Sequence, residues 1–90
     1  MAGDVCITFN PGRFEIDSNL FQSDPKTVVA VLHEVIPMRV EHNYARRVFE
    51  FTALSPHFDS LIEGQSIPMY SAEVRADNER LIVKWKRVGA

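Results

Sequence analysis

The sequence predicts an α+β fold in which three antiparallel β-hairpins form one sheet or a small barrel, with a single helix packed on it. Three observations lead there. Apolar and polar residues alternate along successive short stretches, the period of a half-buried strand. Turn-forming clusters, NPG at 10–12, HNYA at 42–45 and DNE at 77–79, lie between pairs of those stretches. One stretch, 25–36, instead takes helical spacing. An all-β fold, with that stretch as another strand, is the alternative.

The first hairpin is DVCITFNPGRFEIDS. Val5, Ile7 and Phe9 alternate with Cys6 and Thr8, and Phe14 and Ile16 alternate with polar neighbours. NPG between them suits a type II turn, with Pro11 presetting φ and Gly12 accepting the positive φ that follows. Next, Ser23 or Asp24 before Pro25 is a helix entry: an N-cap oxygen, then a residue whose missing N–H is harmless in the first turn. Val28, Val31, Leu32 and Val35 share one face, and Pro37 ends the run because the residue before proline avoids the α region. The β-branched content of 25–36 favours the competing reading, one long strand running into MRVEH.

The second hairpin is MRVEHNYARRVFEFTAL, where Phe49, Phe51 and Ala53 share one side and form the expected centre of the core. Asn43 is the turn residue best able to adopt a left-handed conformation. The third joins YSAEVRA to RLIVKWKRV through DNE. Tyr70, Ala72, Val74 and Ala76 alternate with Ser71, Glu73 and Arg75, and on the partner strand Leu81, Val83 and Trp85 alternate with Ile82, Lys84 and Lys86. Repeats and low-complexity tracts are absent, so residues 1–90 read as one domain.

Composition narrows the function. A hydrophobic content of 46% excludes intrinsic disorder, and the net charge of −2 gives no general attraction to polyanions. Charge is uneven along the chain. Asp4, Glu15, Asp17 and Asp24 outnumber Arg13 near the start, while Arg80, Lys84, Lys86 and Arg87 stand without an acid near the end. No apolar run matches the roughly 18 residues of a membrane helix. MAGDVCITF has neither a basic n-region nor a long apolar h-region, so no secretory signal is expected. A lone Cys6 forms no internal disulfide and reads as a small buried hydrophobe. A cytoplasmic setting is the expectation.

SPHFDSLIEGQSIPMY, residues 55–70, connects the second hairpin to the third and is both long and apolar for a loop. Pro56, Gly64 and Pro68 rule out one regular element through it, though DSLIEG suits a single helical turn capped by Asp59 and stopped by Gly64. Either its apolar side chains fold down as a lid over the sheet, or some stay outward as anchors for another protein. The candidate contact residues are Phe58, Leu61, Ile62, Met69 and Tyr70. VFEFTALSPHFDSLIEGQSIPMY, with its FxFTALS, FD, EG and P-x-Y intervals, resembles a pattern of small phage- or prophage-encoded accessory proteins. The resemblance covers about a quarter of the chain and carries no catalytic motif. It implies a protein of a mobile element that acts by binding other proteins.

Catalytic signatures are missing. His33, His42 and His57 have no metal-ligand spacing, and HE at 33–34 lacks the second histidine of a zincin helix. Ser55 and Ser60 neighbour His57 and Asp59, but triad members usually come from separate elements, and no GxSxG elbow exists. Neither a Walker loop nor GxGxxG is present, so no cofactor is expected. The leading expectation is therefore a non-enzymatic protein-interaction module, binding a partner protein or itself as a homodimer or part of an assembly. The alternative is a nucleic-acid-binding domain led by Arg75, Lys84, Lys86 and Arg87, although strand alternation turns Trp85 away from the lysines. A small enzyme is the third reading.

Overall fold

The computed structural model describes residues 8–88. Its strands are β1 (Asn10–Asp17), β2 (Ile36–Asn43), β3 (Val48–Ser55), β4 (Met69–Asp77) and β5 (Arg80–Val88). Two short helices, α1 (Leu20–Ser23) and α2 (Pro25–Leu32), lie between β1 and β2. The strands form one open, five-stranded mixed sheet in the order β2-β3-β1-β4-β5. It is β-rich as expected and does not close into a barrel.

The second and third hairpins form, but the turn expected at NPG does not. Asn10, Pro11 and Gly12 belong to β1 and pair with Ser55, Leu54 and Ala53 of β3. The expected strand over Val5, Cys6 and Ile7, and the burial of Cys6, lie outside the described residues. Phe9 is exposed and precedes the strand. The proline is tolerated for a geometric reason. Arg13 donates its N–H to Pro68 O at 2.9 Å, on the β4 side. Pro11, two residues earlier, would aim its missing donor to that same side, so its ladder with β3 loses no bond.

β1 and β4 run parallel, with Arg13 and Met69 as their one ladder pair among the described residues. The sheet is thus a three-stranded antiparallel unit, β2-β3-β1, joined to the β4–β5 hairpin through one bridge. The alternating apolar sets fall on one face. Phe14 lies directly opposite Phe51, and their rings stack at 5.0 Å. Trp85 meets Phe14 edge-on at 5.1 Å.

The helical reading of the ambiguous stretch holds for Pro25–Leu32, and the β-branched residues beyond it revert to strand from Ile36. Asp24 caps α2 by accepting from Thr27 N and from Thr27 Oγ1, the latter at 2.6 Å. Val28 and Val31 of α2, with Val35 beyond it, complete the core against Phe14, Ile16, Phe51 and Ala53. A single helix was expected; α1 adds a turn whose Phe21 packs edge-on against Phe49 at 5.0 Å.

The β2–β3 turn falls at residues 44–47, two residues later than HNYA, and Arg47 takes the positive φ (56°) in place of Asn43. Asn43 remains in the strand and accepts from Arg46 N through its side chain. The β4–β5 turn is two residues long, with Asn78 at φ 50° and Glu79 at φ 68°, the positive values of a type I′ turn. Among the described residues, no helix is long and apolar enough to cross a membrane.

Candidate functional site

Residues 56–68 leave the end of β3 and return to β4 without regular structure. DSLIEG does not form the expected helical turn. Instead Gln65 N donates to Ile62 O at 2.9 Å, and Gly64 sits at φ 87°, closing a tight turn over 62–65. Two anchors hold the segment's base. Phe58 is 2% exposed; its ring stacks on Tyr70 at 4.4 Å and meets Trp85 edge-on at 5.1 Å. The Tyr70 hydroxyl accepts from Asp59 N at 2.8 Å, while Asn10 Nδ2 donates to Phe58 O at 3.0 Å. The Arg87–Asp59 ion pair, at 3.4 Å, ties the same point to β5.

These contacts divide the five predicted contact residues. Phe58 and Tyr70, the latter 4% exposed, belong to the core, which corrects the expectation that they face a partner. Burying two stacked rings removes far more apolar surface from water than leaving them on a loop. Met69, opposite both Arg13 and Val88, is half-buried. Leu61 is 38% exposed and Ile62 is 66% exposed. The segment is therefore a lid at its root and a free apolar tip at 61–62.

The cations of the nucleic-acid reading do not make one face. Arg75, Lys84 and Lys86 share the outer side of the hairpin, where Lys84 lies directly across from Glu73. Arg87 lies across from Tyr70 on the other side, paired with Asp59. Trp85 packs inward, as its alternation predicts, and offers no exposed stacking platform.

Ser55 and His57, neighbours in the sequence, converge on Glu34. The hydroxyl of fully buried Ser55 donates to Glu34 O at 3.0 Å and accepts from His57 N at 3.1 Å, stitching the end of β3 to the residues after α2. His57 Nε2 stands 3.1 Å from Glu34 Oε1. The His42 ring stacks on Phe49 at 4.4 Å, and His33 caps the end of α2. Among the described residues, no three of His, Cys, Asp and Glu gather to hold a metal ion. On the outer sheet face, Arg46 grips Glu15 through two hydrogen bonds of 2.6 Å and lies 3.8 Å from Glu50. The hydrogen bond to Glu15, then its charge and that of Glu50, raise the Arg46 pKa further.

Two other surfaces escaped the sequence reading. An open, largely apolar cleft of about 490 Å³ lies between α2 and the β4–β5 turn, lined by Pro25, Lys26, Val29, Ala30, Glu79 and Leu81. The second is β2, whose residues are exposed from Ile36 through His42. Helices α1 and α2 pack on β1, β4 and β5, and β2 leans chiefly on β3. Alternation along β2 marks a half-buried strand, but nothing local reveals that neither described helix covers it. No protein-family model, curated protein or solved structure matches the chain.

Proposed function

We propose that this protein is a non-enzymatic interaction module that grips a partner protein through the tip of the 56–68 segment, with Leu61 and Ile62 as the anchors. One observation carries the reading: an apolar tip stands on a root pinned by Phe58, Tyr70, Asp59 and Asn10. A fixed root limits the ordering entropy lost when the tip docks, and pre-organisation of this kind raises affinity without adding contact area. Half-buried Met69 extends the apolar surface towards β4. A role as a phage or mobile-element accessory protein is the biological setting that suits such a module, on the resemblance of residues 48–70.

A photo-crosslinking residue at position 62 tests this in source-cell lysate. One protein should be captured selectively, and a variant carrying the crosslinker with Leu61→Lys should lose it while keeping its circular dichroism and melting temperature. A capture pattern identical with and without Leu61→Lys would remove the tip from consideration.

A further inference from the structure

We propose that β2 is a self-association edge, through which two copies of the chain pair antiparallel about a twofold axis at Val40. This edge uses residues other than those of the 61–62 tip, and the inference goes beyond the interaction proposed for that tip. Three features of the strand support it.

The first is openness. Among the described residues β2 pairs on one side only, with β3, so its other side presents unpaired backbone N–H and C=O groups. Its side chains are uncovered too, with Val40 48% and Met38 63% exposed. Pro37 and the register shift beside it interrupt the run at its start, leaving Met38 to Asn43 to pair.

The second is charge. A twofold axis normal to a sheet must pass through a paired residue, because cross-strand neighbours share a face. Centring on Arg39 sets arginine against arginine, and centring on Glu41 sets glutamate against glutamate. Centring on Val40 sets Arg39 of each copy opposite Glu41 of the other, twice, and Val40 against Val40. Like charges directly opposite destabilise a sheet and unlike charges stabilise it, so the sequence of the strand selects that register. Glu41 also lies across from Glu50 within its own chain, and it pairs with Arg39 at 3.0 Å. A second copy would bring another arginine to the opposite flank of this acid.

The third is the contrast with the other edge. β5 carries Arg80, Lys84, Lys86 and Arg87 and no acid. Any twofold pairing of β5 with itself therefore brings cations together with no acid in either strand to face them, the usual protection of an exposed strand. β5 is guarded and β2 is self-complementary.

Sedimentation equilibrium of the full chain up to about 1 mM tests the interface. A dimer is expected, and Arg39→Glu or Glu41→Arg alone should weaken it at least about tenfold by setting like charges opposite one another. Both side chains are well exposed, so circular dichroism and melting should stay unchanged. An equimolar mixture of the two variants should regain wild-type affinity as a heterodimer, and the double variant should regain it as a homodimer. Ile62→Lys should leave the dimer intact. A wild-type chain that stays monomeric overturns the proposal, as do single reversals without effect or a mixture that fails to recover. A dimer lost with Ile62→Lys would move self-association to the tip.

Discussion

At Gly12 a Cβ would stand 2.5 Å from Phe58 Cδ2 and 2.8 Å from Cε2. The glycine is thus required for the close approach of a ring, and not for the positive φ of the turn that NPG suggests. Pairing an uncapped backbone position with a large aromatic lets the 56–68 segment press flat onto β1. Gly12→Ala should destabilise the protein by roughly 1–3 kcal/mol through overpacking. Phe58→Ala should cost more, about 3–5 kcal/mol, because it empties a site shared with Tyr70 and Trp85. Urea unfolding measures both. A Gly12→Ala chain as stable as the wild type would mean that Phe58 can move aside without loss. Neither role is legible locally, since the two residues are 46 positions apart and only the fold brings them together.

Elements built from neighbouring residues were the readable ones. The β2–β3 and β4–β5 hairpins need only alternation and a turn between adjacent stretches, and both form. The Asp24–Pro25 entry likewise acts within one turn, and α2 begins where that entry places it. The β4–β5 turn still holds local strain, because Glu79 adopts φ 68° with a side chain that disfavours it. Glu79→Gly, giving Asn-Gly at a type I′ turn, should stabilise the chain by about 0.5–1 kcal/mol, seen as a higher midpoint in urea. An unchanged or lower midpoint would show that the unfolded-state entropy of glycine outweighs the relief. The misplaced element was β1, whose partner is decided by an eight-residue match with β3 across the chain. A short turn signal cannot outweigh that ladder.

Taken whole, the molecule is broad and thin, 43 × 38 × 23 Å, with a radius of gyration of 14.3 Å. A compact chain of this length has about 12 Å. The excess reflects long hairpins around a small core and leaves strand surface uncovered. Charge is distributed against nucleic acid at this scale. Lys84 faces Glu73, Arg87 is tied to Asp59, and Trp85 is turned inward. Fluorescence anisotropy at low salt should therefore detect no binding of single-stranded DNA or RNA. Binding with a steep salt dependence, flattened by removing Lys84 and Lys86, would revive the nucleic-acid reading.

The amino-acid sequence alone determined that this chain is β-rich, where its last two hairpins lie, and that a capped helix enters at Asp24 and Pro25. Those features depend on contacts a few residues apart, so their physics is written in neighbouring side chains. Tertiary structure decided that β1 joins β3, that Phe58 and Tyr70 are interior, and that β2 stands uncovered at an edge. Each of these turns on which distant segment wins the competition to bury a given apolar face, and alternation reads the same whether that face is covered or bare.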